Sequence, residues 1–190
     1  MYRKTLFTLT SIVLLTSILG ACAKEPSPPE TKSSLRLTPE GLGKLNKTSN
    51  FDADTIKSAL PTYTVKKETT SAEGETYDIF RAYWQDSPVV EIDADSSQQK
   101  IGRIEVLSDR IPGPKDVKVG IAYSDTPGHE KLDCFPGEEG STGQVICWFE
   151  ENASIIYVYQ PLNWEGPYDK LPPLEVLTKA KLDSLLWVAR

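Results

Sequence analysis

The sequence predicts an α+β fold, a single domain built mainly on an antiparallel sheet with short helices near its N- and C-terminal ends. Three observations lead there. Several runs alternate apolar and polar residues or are enriched in β-branched and aromatic types, as strands with one buried face are. The links between neighbouring runs are polar and of hairpin length. Helical signals are few, and all but the one at 173–182 are cut short by proline or glycine.

The elements follow in chain order. Residues 1–21 read as a secretory signal, with Arg3 and Lys4 as a positive start, an apolar run from Leu6 to Leu19, and the small residues Gly20 and Ala21 at a cleavage point. The run is 14 residues long, short of the roughly 18–20 needed for a permanent membrane-spanning helix. Leu19-Gly20-Ala21-Cys22 resembles the bacterial lipobox. That resemblance implies that Cys22 is the lipid-attachment residue and the first residue of the mature chain. Acyl chains there give the protein a membrane partner, each buried CH₂ contributing about 0.8 kcal/mol. Ala23, not Asp, follows the cysteine, which points to the outer membrane and its periplasmic face. Residues 22–34 hold three prolines and three serines without a large apolar side chain, a tether that extends about 3 Å per residue.

Residues 35–190 are expected to form the α+β periplasmic domain. Thr38-Pro39-Glu40 suggests a turn that the glycines of "GLGKL" prevent from growing into a helix. Asp52 can cap "ADTIKSAL", which Pro61 stops after about two turns. "TYDIFRAYW" (76–84), "VVEIDAD" (89–95) and "KIGRIEVLS" (100–108) form a three-stranded meander across two short polar links. Ser124-Asp125 can cap a turn before Pro127 and Gly128. "QVICWFE" (144–150) and "SIIYVYQ" (154–160) make a second hairpin. "PLEVLTKAKL" (173–182) has the spacing of an amphipathic helix opened by proline, and "DSLLWVAR" reads as a closing strand.

Composition narrows the function. Two of the 21 Lys and Arg residues, Arg3 and Lys4, lie in the signal, which leaves 19 bases against 27 acids in the mature chain. Such an acidic chain, with no basic run anywhere, is no nucleic-acid binder. With Cys22 carrying lipid in an oxidising compartment, Cys134 and Cys147 remain and pair as a disulfide that staples the Gly- and acid-rich "FPGEEGSTGQVI". His129 is the only histidine and stands among turn residues, so it is expected in a surface loop and not as a catalytic base. The chain lacks the His and Cys set of a zinc site. Asp93, Asp95 and Ser96 alternate as in a calcium loop but lack its glycine and closing glutamate. No metal, cofactor or catalytic residue is therefore expected.

Adjacent aromatics such as Tyr83-Trp84 and Trp148-Phe149 point to opposite sheet faces, so some aromatic surface must lie outside one core. The loop "NWEGPYDKLPP" is the expected place for ligand or partner contact, through Trp164 and Tyr168. Glu138 and Glu139 form a second candidate contact on the stapled loop.

The ordered set "GRIEVLSDRIP", "VKVGIAYSD", Cys134, Cys147, "IIYVY", "NWEGP" and "PPLEVLTKAKLDSLLW" resembles the RpoE-regulated lipoprotein family of proteobacterial envelopes over roughly residues 37–190. The resemblance implies an outer-membrane lipoprotein, an envelope-stress setting and an α+β fold, and it carries over no catalytic or ligand residue. The expected function is a non-enzymatic binding module for an envelope protein or cell-wall component. The alternative is an inhibitor of a basic cell-wall hydrolase of lysozyme type, met by Glu138 and Glu139, or a cell-wall enzyme whose carboxylates come from distant positions.

Overall fold

The computed structural model describes residues 35–72 and 74–190. The expected signal, Cys22 and the tether lie outside the described residues. Two short strands, β1 (Leu37–Thr38) and β2 (Gly41–Leu42), pair across the turn expected at Thr38-Pro39-Glu40. Helix α1 (Ala53–Ala59) follows. The Asp52 carboxylate accepts from the Thr55 N–H at 2.8 Å, which satisfies one of the orphan donors of the first turn. Ile56 is the helix's buried residue, and the chain leaves the helix at Leu60, just before Pro61.

Eight antiparallel strands make the main sheet. β3 (Thr64–Ala72), β4 (Glu75–Trp84), β5 (Ser87–Ala94) and β6 (Ile101–Val106) form a four-stranded meander. β7 (Leu132–Pro136), β8 (Val145–Phe149) and β9 (Asn152–Gln160) form a second one. β10 (Lys181–Val188) slots between β6 and β9 and joins the halves in the order β3-β4-β5-β6-β10-β9-β8-β7. The last strand in sequence is thus central in space.

Side chains alternate between the two faces. On the inner face Phe80, Ile92, Ile104, Leu185, Trp187, Ile155 and Tyr157 are all buried in one core. The N-terminal segment and the connection from β6 to β7 cover that face. Leu37, Leu42, Leu45, Ile56 and Leu60 join its core, the Phe51 ring meets Phe80 edge-on at 4.9 Å, and the Trp187 indole N–H donates to the Pro39 carbonyl at 2.8 Å. The connection brings Ile111, Val117 and Tyr123 into the core, with Tyr123 edge-on to Tyr159 at 5.3 Å. It bends through 3-10 turns at Pro114–Asp116, Tyr123–Asp125 and His129–Lys131.

One expectation is overturned. The helix expected over 173–182 is a single turn, α2 (Leu174–Leu177), and β10 starts at Lys181, inside the expected helix. Leu174 of the supposed apolar stripe is 70% exposed. Leu182 instead pairs with Tyr159 on β9 and exchanges backbone bonds with the connection, its N–H to Ile121 and its carbonyl to Gly120. Central sheet pairing outweighs the helix propensity of the segment.

Candidate functional site

The outer face of the sheet is where the strands put the residues that the core does not use. Cross-strand register aligns one row over all eight strands: Asp133, Trp148, Ile156, Leu186, Glu105, Glu91, Arg81 and Lys66. Phe135, Ile146, Val158 and Ser184 stand abreast in the neighbouring row over β7, β8, β9 and β10. The face is therefore divided. Over the second meander and β10 it is apolar, and over the first meander it is charged.

The apolar half centres on Ile146, Trp148, Ile156, Val158 and Leu186, none of which belongs to the inner core cluster. Trp148 and Phe135 stack at 5.0 Å with their planes 12° apart, and Phe135, on the edge strand, is 52% exposed. Parallel stacking leaves one aromatic surface turned outward.

The charged half is a ladder. Arg81 bonds Glu68 at 2.7 Å and Glu91 at 2.5 Å, and Arg103 bonds Asp93 at 2.6 Å with a longer contact to Glu91 at 3.5 Å. The Tyr83 hydroxyl donates to Glu68. Bonding to Glu91 raises the Arg81 pKa still further above its ordinary value. Burial pushes the Asp93 carboxyl up, against the pull of Arg103. Two buried side-chain oxygens lack a partner among the described residues, Asp93 Oδ1 and Ser184 Oγ, and both residues sit on this outer face.

Between the halves runs a groove of about 470 Å³, with Ile146, Val158 and Leu186 as floor, Arg103 and Glu105 on one side, and Gly140, Ser141 and Gln144 on the other. Its size falls in the range of ligand clefts, about 300–1,000 Å³. The second wall is the tip of the β7–β8 hairpin. The Cys134–Cys147 disulfide closes that hairpin, joining directly paired residues whose Cα atoms are 4.1 Å apart. Gly137 is required in the tip, because a Cβ there would stand 2.1 Å from the Ser141 carbonyl oxygen. The Gln144 amide donates to Asp183 at 3.2 Å and ties the tip to the bulged start of β10.

Glu138 and Glu139 lie exposed on the same tip, next to Gly140 and Ser141 of the groove wall. Tyr168 reaches it from the 161–173 loop, its ring lying 3.5 Å from where a Cβ of Gly143 would be, and it is 44% exposed. Trp164 is half-buried in that loop. The structure thus gathers Tyr168, Glu138 and Glu139 at one end. Phe135 was not among the residues expected to make contact; it lies on a strand too short and too close to turn residues to announce itself.

The residues weighed for chemistry are otherwise engaged. His129 is half-buried on a 3-10 turn, its Nδ1 3.2 Å from the Thr126 carbonyl and its ring edge-on to Tyr123. Asp93 pairs with Arg103, whereas Asp95 closes the β5–β6 turn by accepting from the Ser97 hydroxyl and the Lys100 N–H. Among the described residues no group of three or more His, Cys, Asp or Glu is placed to hold a metal, and no helix is long and apolar enough to cross a membrane.

Comparison with known proteins bears on the fold and the family. The crystal structure of the uncharacterized protein yfeY from Escherichia coli is similar, with a TM-score of 0.64 and 24% identity, over 80% of this chain and 99% of that one. At that identity the likeness speaks for the fold. No curated protein matches this chain. Residues 28–189 match the family described as Protein of unknown function (DUF1131), and the chain belongs to that family.

Proposed function

We propose that this chain is a lipid-anchored lipoprotein on the periplasmic face of the bacterial outer membrane, acting as a non-enzymatic binding module in envelope maintenance under stress. Its contact surface is the outer face of the sheet. One observation carries this: a rigid, antiparallel sheet leaves Phe135, Trp148, Ile146, Ile156 and Leu186 as a contiguous apolar block that floors and flanks a groove, outside the core. With Phe135 exposed and the other four half-buried, the block is a contiguous, partly open apolar patch of the kind that marks interaction sites. On the same face Glu68, Glu91 and Asp93 are held in ion pairs by Arg81 and Arg103, an arrangement suited to rigidity and recognition more than to proton transfer. The lipid anchor rests on Leu19-Gly20-Ala21-Cys22 and on the family resemblance of the ordered motifs.

The test is a photoreactive residue placed at Phe135 in the full chain in cells, with a matched probe at Leu174, which is 70% exposed but lies outside the face. A discrete envelope protein captured from Phe135 and not from Leu174 is the expected result. Identical adducts from both positions, or none from Phe135, would remove the outer face as the contact surface. In parallel, Cys22→Ser should abolish palmitate labelling and release the protein from the membrane fraction; persistent labelling would refute the anchor.

A further inference from the structure

We infer that the groove on the outer face receives a cationic, amphipathic polypeptide segment of the partner, in which Lys or Arg side chains lay their aliphatic stems on the floor and their charged heads among carboxylates. This rests on the binding-module reading and specifies its partner. The floor of Ile146, Val158 and Leu186 is apolar, the kind of surface along which long cationic side chains bury their stems. The rim has the opposite sign. Glu105 lines the groove and Asp183 accepts from Gln144 beside it, and among the described residues neither forms a salt bridge. Glu138 and Glu139 add charge at the hairpin tip, and Asp133 stands next to Trp148 in the same row.

Arg103 is the one cation in the lining, and its charge is matched by Asp93 at 2.6 Å and Glu91 at 3.5 Å. The field in the groove is therefore negative over an apolar base. The outward aromatic surface of the Phe135–Trp148 stack extends this base toward the sheet edge, where a guanidinium or ammonium also finds a favourable π face. The acidic excess of the whole chain, a formal −6, steers the same class of partner toward it.

The experiment uses the mature lipidated chain in nanodiscs of neutral phosphatidylcholine, with empty nanodiscs subtracted, and reads the anisotropy of fluorescent peptides of about a dozen alternating residues. Three probes are compared: Lys/Leu, Glu/Leu and the uncharged sugar tetra-N-acetylchitotetraose, the last by competition. The expected result is binding of the Lys/Leu peptide alone, weakened about tenfold when salt rises from about 50 to about 300 mM. The double variant Glu105→Gln/Asp183→Asn should weaken it about fivefold, with Glu175→Gln on α2 unchanged. Equal binding of the Glu/Leu peptide, indifference to salt, or displacement by tetra-N-acetylchitotetraose would overturn the cationic occupant, as would no binding of the Lys/Leu peptide. The salt and peptide arms use unaltered protein, so they decide the matter even if the double variant misfolds. Capture of an envelope protein at Phe135 without Lys/Leu binding would keep the binding module and discard its cationic partner. Lys/Leu binding without capture in cells would do the reverse.

Discussion

Breaking the Cys134–Cys147 bridge should cost about 3 kcal/mol and should loosen the groove before it unfolds the domain. The cysteines are 13 residues apart in sequence, and closing a loop of that size removes roughly 10 cal/mol/K of unfolded-chain entropy, about 3 kcal/mol at 25 °C. For a domain of this size that corresponds to a fall in Tm of about 6–12 °C. The perturbation is the double variant Cys134→Ala/Cys147→Ala, compared with wild type by urea unfolding followed through tryptophan fluorescence. The loss should not be spread evenly. β7 is an edge strand paired only with β8, so without the bridge its local opening becomes easier than global unfolding. Amide exchange of β7 and of the 137–144 tip should therefore speed up more than that of β6. A shift below about 1 kcal/mol would refute the entropic account, because it would mean that the hairpin is already closed in the unfolded chain. A loss spread evenly over β6 and β7 would refute the local one.

Trp187→Phe keeps most of the buried ring but removes the donor to the Pro39 carbonyl, and because Pro39 itself is exposed the loss should be that of one ordinary hydrogen bond, about 0.5–1.5 kcal/mol by thermal melt; a loss well above that would show that the carbonyl is sealed from water. Asp93 has a folded pKa above its unfolded value of 3.8, so the folded state binds its proton more readily. The stability of wild type relative to Asp93→Asn should therefore rise as pH falls through the folded pKa toward 3.8 and level off below it. Asp52, Asp78 and Asp95 have lowered values, Asp52 chiefly through the Thr55 N–H, Asp78 through Lys67 and Asp95 through Ser97. What they contribute is present above the unfolded pKa and is lost as pH falls through their folded values. Denaturant melts of wild type and Asp93→Asn between neutral pH and about pH 3 read the difference, and a flat or inverted difference would show that Arg103, not burial, governs Asp93.

Much of the fold was legible wherever local pattern and packing demand the same thing. β4, β5, β6, β8 and β9 were each foreseen to within about two residues, because each has one buried face and alternates accordingly. α1 was foreseen because Asp52 and Pro61 set its ends locally. β3 was not. Among the described side chains of "TVKKETTSA" only Val65 is buried against the core, and an edge strand of this kind has little apolar signal to show. β7 escaped for the same reason, being five residues with a terminal proline.

By itself the sequence determined the α+β class, the strand pairs linked by short turns, the acidic charge and the absence of a histidine- or cysteine-rich site, since composition and short-range spacing settle these. Only the tertiary structure decided that β10 lies at the centre of the sheet, that "KAKL" leaves the helix for it, and that Phe135, Trp148, Leu186 and Glu105 share one face. Those residues are brought together by register between strands distant in sequence. A shift of one residue in any pairing would send its side chains to the opposite face, and no local pattern encodes that register.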